Sequence, residues 1–354
     1  MNDLEKTIAV IGAGVSGLSA ACLLSRAGFR VRIFEKSRGV SGRAASRTRE
    51  GCRYDHGANY FTVEETEVHH WIFEELSSEG LVEIDGAILP FDSSGTVGVP
   101  DETRDGRAKY SYRDGISTLG KKMRERFDLD IVHGERITGL GKRPGHAGWI
   151  LMGEKGRRYG EYGAVLVSTP LAQAIPMLEA SDFDEKLQTD LRDSFDGVRY
   201  YSQYSVVLNF SEQQHLPKNA YALINEDRAH AVAWISNEGF KTGHVPAGES
   251  LYVVQMSPHW SSEREGWERT EIAEQVLRQV SVLFDNDLPR PGWSDVQWWK
   301  FAHPQPGGKI YPPETATGSG LYFAGDAFVG KGRVAGALKS GFEVAREIIS
   351  RSGP

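Results

Sequence analysis

The chain has 354 residues, of which 40% are hydrophobic and 25% are charged, and its formal net charge is -7. This composition is ordinary for a globular protein of two domains and argues against disorder. The acidic balance argues against nucleic acid and membranes as partners, because both attract basic proteins. The polar start and the short apolar run after it predict neither a signal peptide nor a membrane span, and a cytoplasmic location is expected.

Cysteine and histidine usage predicts no metal site. Cys22 and Cys52 are the two cysteines, without a C-x-x-C spacing, and both are expected to be reduced core residues. His69 and His70 are neighbours on a predicted helix, where their side chains diverge by about 100° and do not share one ion easily.

Residues 7–35 predict a βαβ unit, in which the strand TIAVIG, a glycine-rich turn and a helix lead to the strand RVRIFE. Gly12, Gly14 and Gly17 form G-x-G-x-x-G, and Glu35 ends the second strand. The glycines permit a tight turn, close approach of the backbone to a pyrophosphate, and packing of helix on strand. An acid at this place accepts ribose hydroxyls of either NAD or FAD, so this motif leaves both cofactors open.

A basic, glycine-rich loop follows this unit. Residues 38–43 read RGVSGR, placed where a second turn and two guanidinium groups can reach the same pyrophosphate. A helix is predicted over about 65–76, and turn-rich sequence over 86–106.

The centre of the chain predicts strands in two groups. LDIVHGERITGL and GWILM are typical of strands, and AVLVSTP is typical of a buried strand. Between residues 185 and 310, helical patterns alternate with strands such as YSVVLNF, AVAWI, SLYVVQM and VQWWKF, which predicts an antiparallel sheet.

The last segment favours FAD over NAD. GLYFAGD predicts a strand that brings Asp326 to its carboxyl end, within reach of a ribityl hydroxyl. Residues 332–337 then open a final helix, whose N-terminus would lie near the flavin. A long cofactor with two heads would contact both the glycine motif near the start of the chain and the segment around Asp326. No cysteine or histidine lies in this last loop, so the FAD is expected to be bound non-covalently.

The predicted fold class is therefore α/β, with a discontinuous Rossmann-type FAD-binding domain and a second α+β substrate domain built on an antiparallel sheet. The FAD-binding domain is expected to comprise residues 1–62, 111–182 and 313–354. The substrate domain is expected to comprise residues 63–110 and 183–312.

These segments together resemble the FAD-dependent amine-oxidase superfamily, and within it the renalase family. The resemblance spans nearly the whole chain and rests on IGAGVSGLSAA, FEKSRGVSGRAASR, YDHGANYFT and GLYFAGDAFVGKGRVAGALKSGFEVA. It implies that FAD accepts a hydride and is re-oxidised by O2, which gives hydrogen peroxide. For renalases it implies an isomeric dihydro form of NAD(P) as the substrate.

The motifs and the resemblance give one set of candidate site residues. The candidate cofactor-binding residues are Gly12, Gly14, Val15, Ser16, Gly17, Glu35, Lys36, Gly42, Arg43, Asp55, Gly57, Ala58, Asn59, Tyr60, Phe61, Arg136, Ile137, Gly325, Asp326, Gly332, Arg333, Val334 and Ala337. The candidate catalytic residues are Trp234, Asn237, Gln255 and Lys300. Lys300 is compared with a lysine that orders a water near flavin N5 in amine oxidases, and an ordinary exposed lysine is the alternative.

The chain departs from the renalase pattern in three places. Ser41 replaces the first glycine of the usual G-G-R, and Gln255 stands where the family often has histidine. The segment WISNEGFK, residues 234–241, replaces a pattern similar to W-I-A-R-N-S-x-K and loses its Arg-Asn pair. Loss of that cation weakens the expectation of a dinucleotide-like substrate.

Three functions therefore stay open from the sequence. The first is a renalase-like oxidase of a small planar substrate, with O2 or another electron acceptor. The second is a flavin amine oxidase or desaturase that acts on a different amine or metabolite. The third is a protein that binds FAD without catalysis. In each case the expected assembly is a monomer or a weak homodimer.

Overall fold

A computed structural model describes the fold of residues 3–101, 106–142, 148–284, 288–307, 310–330 and 332–352. Its largest features are a five-stranded and a six-stranded sheet. The confirmed fold class is mixed α/β, and each strand predicted from the sequence is present.

The five-stranded sheet is parallel throughout, as buried Rossmann-type sheets are. Its strands in chain order are β1 (Thr7–Ile11), β2 (Arg30–Glu35), β8 (Asp130–His133), β12 (Ala164–Val167) and β18 (Leu321–Phe323). The spatial order is β18-β12-β1-β2-β8. The last strand therefore pairs with one from the middle of the chain, so this sheet is assembled from distant segments.

Helices cover both faces of the parallel sheet. On one face lie α1 (Val15–Arg26), α3 (Thr118–Arg126) and α10 (Val334–Arg351), and on the other lie α4 (Leu171–Glu179) and α5 (Glu185–Phe195). Successive residues of a strand point to opposite faces, so Ile8 and Val10 join the first core while Ala9 and Ile11 join the second. Both cores are apolar, which is the main stabilisation of such a domain.

The six-stranded sheet is antiparallel apart from one parallel pair at its edge. Its strands are β6 (Ile88–Phe91), β13 (Tyr200–Phe210), β14 (Ala222–Asn225), β15 (Val232–Asn237), β16 (Ser250–Met256) and β17 (Trp293–Pro304), in the spatial order β17-β13-β16-β15-β14-β6. One face packs on α7 (Arg269–Ser281) through an apolar core. The other face packs partly on the hairpin of residues 46–55 through a small apolar cluster, and its remaining part, turned toward the parallel sheet's strand ends, carries three glutamines.

Smaller elements complete the described fold. They are the hairpin β3 (Ser46–Arg49) with β4 (Cys52–Asp55), the pair β5 (Leu81–Glu83) with β7 (Tyr110–Tyr112), the sheet of β9 (Ile137–Gly141), β10 (Trp149–Gly153) and β11 (Arg158–Tyr162), and the short helices α2 (Thr66–His70), α6 (Pro258–Ser262), α8 (Glu314–Gly318) and α9 (Asp326–Val329). The helix predicted over 65–76 is α2 continued by a π-helical turn, Trp71–Glu75.

The predicted domain boundaries stay a proposal. Every strand of the parallel sheet lies within the segments 1–62, 111–182 and 313–354, and every strand of the six-stranded sheet lies within 63–110 and 183–312. Among the described residues, no helix is both long enough and apolar enough to cross a bilayer.

Candidate functional site

A cavity of about 1210 Å³ lies between the carboxyl ends of the parallel strands and the glutamine-bearing part of the six-stranded sheet. Binding sites of open α/β sheets lie outside the carboxyl ends of the strands. The volume exceeds the range of roughly 300–1,000 Å³ for pockets that hold one small molecule. It therefore has room for a large cofactor and a second molecule. We call the region beside Gly12 and Gly42 the nucleotide end, and the region beside Gln203, Gln255 and Gln297 the sheet end.

Two glycine turns build the nucleotide end. Gly12 has a φ of +105°, which favours glycine, and the turn ends at Gly14, where an added Cβ would meet no atom within 4 Å. The second turn lies against the first, because Ser41 donates its N–H to Ala13 and an added Cβ at Gly42 would lie 3.2 Å from the Gly14 Cα. The first N–H groups of α1 have no partner within the helix, and Val15 and Ser16 line the cavity, an arrangement that suits an anion.

Gly17 has a packing role beside this site. An added Cβ there would overlap the Gly12 carbonyl oxygen and the Ser168 hydroxyl. The glycine therefore lets α1 approach the turn after β1 and the end of β12, as the motif predicts. Gly17 does not line the cavity.

Glu35 lies at the cavity wall with both carboxylate oxygens hydrogen-bonded. The Ala13 N–H donates to one oxygen at 2.8 Å. The N–H and hydroxyl of Ser37 donate to the other at 2.8 and 2.6 Å. A carboxylate offers about four lone-pair sites, so acceptor capacity is left for a ligand hydroxyl. The bonds orient this carboxylate before any ligand arrives.

Arg43 and Asp326 join distant parts of the chain at the middle of the cavity. The Arg43 guanidinium lies 2.6 Å from an Asp326 carboxylate oxygen and 3.0 Å from the Ala302 carbonyl oxygen. The Tyr200 hydroxyl donates to the second Asp326 oxygen at 3.1 Å. Burial first, and then the Asp326 charge, raises the pKa of Tyr200 above its ordinary value, so the hydroxyl stays protonated and donates. Asp326 begins α9 rather than ending a strand, because the strand stops at Phe323.

Asp55 holds in place the loop of residues 56–58, which lines the cavity. Its carboxylate is fully buried and accepts hydrogen bonds from Ser46, Ser111 and the Ile116 N–H, and it pairs with Lys241 at 2.9 Å. Burial alone would raise the pKa of Asp55, but the Lys241 charge and the hydrogen bonds to the carboxylate together outweigh burial and hold the pKa below its ordinary value. The Asp55 carboxylate therefore supports the loop and does not line the cavity.

Lys241 is the centre of a buried charge cluster. Besides Asp55, its ammonium lies 2.7 Å from a Glu238 carboxylate oxygen. The second Glu238 oxygen lies 2.8 Å from Nδ1 of His244, whose Nε2 lies 3.0 Å from the Tyr112 carbonyl oxygen. Burial favours neutral Lys241, but the two carboxylates raise its pKa above the ordinary value. Asp55, Glu238 and His244 offer three potential metal ligands, and Lys241 already supplies a cation to both carboxylates.

The loop after Asp55 forms one wall at the sheet end. The His56 ring stacks on Trp299 with centroids 5.5 Å apart, and the Trp299 indole N–H donates to the His56 carbonyl oxygen at 3.0 Å. Burial first, and then the Arg47 charge, lowers the pKa of His56 to about 4, so its ring is neutral at pH 7. Gly57 and Ala58 follow along the wall. An added Cβ at Gly57 would overlap the Arg43 carbonyl oxygen.

Three glutamines face the cavity from the six-stranded sheet. Gln297 and Gln255 flank Ser205 in one row across β17, β13 and β16, and Gln203 lies two residues before Ser205 on the same face. All three glutamines line the cavity. The Gln255 amide donates to the Gly57 carbonyl oxygen at 2.7 Å, which ties the sheet to the wall loop.

The structure brings most of the predicted site residues to one cavity. The lining residues among them are Gly12, Gly14, Val15, Ser16, Glu35, Lys36, Gly42, Arg43, Gly57, Ala58, Arg136, Ile137, Gln255, Lys300, Gly325, Asp326, Gly332, Arg333, Val334 and Ala337. The predicted residues outside the lining are Gly17, Asp55, Asn59, Tyr60, Phe61, Trp234 and Asn237. All of these roles stay predictions.

The residues outside the lining lie just behind it. Trp234 pairs with Gln255 across neighbouring strands and packs against Tyr60, with ring centroids 5.9 Å apart. The Asn237 side chain accepts the Gly239 N–H at 2.9 Å and so begins a short helical turn. Asn59 donates to the Asp55 carbonyl oxygen at 2.9 Å. They hold the wall rather than form its surface. Lys300, in contrast, is exposed at the rim.

Sequence reasoning missed Tyr200, Gln203 and Gln297. Each lies on a long strand, in a segment read as an ordinary part of an antiparallel sheet. The alternation along β13 and β17 was a usable signal, since polar residues at every second position mark one face. These residues lie close together because of the register between the strands, and no local sequence pattern predicts that register.

The nucleotide end fits FAD. Two glycine turns leave open space against helix N–H groups, an oriented carboxylate is ready for hydroxyls, and cationic side chains surround a cavity whose volume has room for a large cofactor. The lining includes the cations Lys36, Arg38, Arg43, Arg136 and Arg333. An anionic pyrophosphate would be held by the backbone and by these charges.

Comparisons with known families agree with this site. Residues 10–76 match the family described as an NAD(P)-binding Rossmann-like domain, and residues 87–349 match the family described as flavin containing amine oxidoreductase. The second match covers about three quarters of the chain.

Curated relatives are each similar over a short stretch of sequence. Phytoene desaturase of Fusarium fujikuroi is 38% identical over 78 residues, which is 22% of this chain and 13% of that protein. Protoporphyrinogen oxidase 2, chloroplastic/mitochondrial, of Arabidopsis thaliana is 46% identical over 63 residues, which is 18% of this chain and 12% of that protein. The matched segment thus spans about an eighth of the length of these relatives.

Solved structures are similar over the whole fold. Wild-type putrescine oxidase bound to putrescine has a TM-score of 0.72 at 13% identity, with 98% of this chain and 99% of that chain covered. A protein of Exiguobacterium sp. 255-15, provisionally named protoporphyrinogen oxidase, has a TM-score of 0.74 at 14% identity over the same shares. At this identity the likeness shows the fold alone.

Proposed function

The chain belongs to the flavin-containing amine oxidoreductase family, and from this premise we propose that it is a renalase-like oxidase of a small planar substrate. Family membership confirms the expectation of an FAD-dependent oxidoreductase. The proposed substrate is an isomeric dihydro form of NAD(P). It gives one hydride, solvent gives one proton, and O2 takes both to become hydrogen peroxide. The FAD is proposed to be non-covalent, with the cofactor contacts named above.

One observation carries this proposal: a single cavity joins a nucleotide end to an aromatic and amide-lined sheet end. Bound FAD supplies the acceptor for the hydride, a chemistry that asks little of protein acids and bases. The protein then has to orient a flat substrate and keep it dry. Trp299, stacked on neutral His56, offers a flat apolar wall for this purpose.

The charges of the lining support a substrate without a positive charge. Among the residues that the structure describes, its carboxylates are Glu35, Glu135 and Asp326. Glu35 and Asp326 are hydrogen-bonded through both oxygens, whereas Glu135 pairs with Arg157 through one oxygen and its other oxygen has no partner. None of these three carboxylates lies beside the glutamines of the sheet end, so the described part of that end offers no carboxylate to pair with an ammonium group. Exposed Lys300 at the rim would instead attract an anionic substituent such as a phosphate.

An anaerobic substrate screen tests the proposal. The holoprotein is mixed with isomeric dihydro forms of NAD and NADP, and the flavin absorbance band is followed. We expect the band to bleach within one turnover and to return on admission of air, with one hydrogen peroxide per substrate. Absence of bleaching with every dihydronicotinamide, together with bleaching by another compound, would overturn the substrate assignment.

A second candidate is a flavin desaturase or amine oxidase that acts on a different amine or metabolite. It is favoured by the residues at the sheet end, where Asn237, Glu238 and Gln255 replace the renalase pattern. Glu238 is committed to the buried cluster with Lys241, so the difference alters the pocket's support as well as its surface. Bleaching by an amine, but by no dihydronicotinamide, would select this candidate.

A further inference from the structure

The orientation of two glutamine side chains at the sheet end is fixed by their partners. The Gln203 amide nitrogen donates to the Met256 carbonyl oxygen at 2.8 Å, and the Gln255 amide nitrogen donates to the Gly57 carbonyl oxygen at 2.7 Å. A carbonyl oxygen only accepts hydrogen bonds, so it is the amide nitrogen that must face it. The carbonyl oxygens of both glutamines therefore point elsewhere.

Those two carbonyl oxygens accept no hydrogen bond from any residue that the structure describes, although both side chains line the cavity. Gln297 differs in this respect. Its amide donates to the Trp298 carbonyl oxygen, and its own carbonyl oxygen accepts from Arg47 at 2.6 Å. The sheet end thus offers two hydrogen-bond acceptors of fixed orientation, the side-chain carbonyl oxygens of Gln203 on β13 and of Gln255 on β16.

The charges nearby offer no free counter-charge and so disfavour a cationic partner for these acceptors. Arg47, also in the lining, pairs with Asp295 at 2.7 Å, so the Asp295 carboxylate is neutralised. His56 is neutral at pH 7 and stacks on Trp299 beside Gly57. A planar, uncharged group with N–H donors fits a site of flat walls and carbonyl acceptors.

We propose that Gln203 and Gln255 determine substrate specificity by accepting hydrogen bonds from the N–H groups of an uncharged planar ring, of the kind that a primary carboxamide carries. This inference deepens the proposed function and rests on it for the substrate's identity. It assigns a role to Gln203 that no motif indicates. It also replaces the catalytic role expected of Gln255 by a specificity role.

Three probes with one ring separate the relevant properties. Benzamide is neutral and has two N–H donors, N,N-dimethylbenzamide is neutral and has none, and benzylamine is protonated at pH 7. Each is titrated anaerobically into the holoprotein, and the shift of the flavin absorbance band reports binding. We expect benzamide to bind at least about tenfold more tightly than the other two, because two hydrogen bonds are lost or a charge is left unpaired.

Variants assign this preference to residues. Gln203→Leu and Gln255→Leu should each weaken benzamide binding about threefold to tenfold and leave N,N-dimethylbenzamide unchanged. Gln213→Leu, exposed just beyond the end of the same strand, should change neither. Gln203→Glu adds a negative charge and should raise the affinity for benzylamine. Flavin content equal to that of the natural protein establishes that each variant is folded.

Several outcomes overturn the inference: equal binding of benzamide and its dimethyl form, benzamide binding unaffected by both Leu variants, or loss of FAD instead of loss of benzamide. The last result would mean that the glutamines contact the cofactor. These titrations need no turnover. If benzamide binds in a glutamine-dependent way but no dihydronicotinamide is oxidised, only the proposed function fails.

Discussion

The two ends of the cavity are built in different ways. At the nucleotide end, backbone N–H groups and one oriented acid are presented within some thirty consecutive residues, from Gly12 to Ser41. At the sheet end, side chains from four separate strands and a loop converge, and a buried charge cluster holds that loop in place. The first end depends on local geometry, and the second depends on distant contacts.

This contrast locates specificity at the sheet end. A site made of backbone groups changes little when surface side chains change, and it suits a cofactor shared by many proteins. A site made of side chains on paired strands changes with single substitutions, and it suits a substrate particular to one enzyme. The predictions below break one end at a time.

The largest effect is expected from Lys241→Met, which leaves the Asp55 and Glu238 carboxylates buried without their cation. Removing one partner of a buried ion pair costs about 3–5 kcal/mol. Chemical denaturation should show this loss in the free energy of unfolding, with the flavin retained until unfolding. Lys186→Met, at an exposed position, is the control and should change stability by less than about 0.5 kcal/mol. Equal stability of the two variants would contradict a supporting role for the cluster.

His56 gives the sheet end a pH dependence. Its folded pKa of about 4 lies below the ordinary value near 6.5, so the unfolded chain binds the proton first as the pH falls. Neutral His56 therefore contributes about 3 kcal/mol to the free energy of unfolding above pH 6.5. This contribution is lost as the pH falls from 6.5 to 4.

Denaturation curves at pH 7 and pH 4 measure this dependence. His56→Gln should lose less stability over that range than the natural protein does, whereas His259→Gln, at an exposed position, should behave like the natural protein. If all three proteins showed the same pH dependence, the pKa of His56 would not be lowered by folding.

Gly17→Ala tests the packing of the nucleotide end. The added methyl group overlaps the Gly12 carbonyl and the Ser168 side chain, so α1 must shift away from the turn. We expect a loss of about 2 kcal/mol in stability and weaker FAD retention on gel filtration. Gly318→Ala, in open space at the end of α8 and outside the cavity lining, is the matched control. If both variants keep FAD equally, the close approach of α1 is not required.

Glu35→Gln is expected to have the smallest effect. The amide oxygen can still accept from Ala13, so the turn persists, but a charged acceptor for ribose hydroxyls is lost. FAD should bind the apoprotein about tenfold more weakly, which is about 1.4 kcal/mol. The exposed substitution Glu83→Gln should leave FAD affinity unchanged. A titration that finds no difference would remove Glu35 from the cofactor contacts.

The same contrast explains how far the sequence predicts the structure. Gly12, Gly14 and Glu35 act through spacing along the chain, so their positions follow from the motif. Trp234 was expected at the substrate, but strand register places it behind Gln255, against Tyr60. A register shift lies beside Trp234 and another beside Gln203, and hydrophobic periodicity alone does not reveal such shifts.

The buried cluster illustrates the same limit. Asp55 was expected near the cofactor, and Glu238 was read as a substitution in the substrate segment. Their common partner, Lys241, is joined to Asp55 across 186 positions of sequence. No local pattern predicts that a lysine is fully buried, since burial of its charge depends on two carboxylates that arrive from elsewhere in the fold.

Titration of the apoprotein with FAD, FMN and NAD shows whether one cofactor spans the cavity from the nucleotide end to the sheet end. Calorimetry should give one FAD per chain, bound at least about a hundredfold more tightly than FMN, which lacks the adenosine half, and more tightly than NAD. Equal affinity for FAD and FMN would contradict the account, because the glycine turns and Glu35 would then contribute nothing to binding.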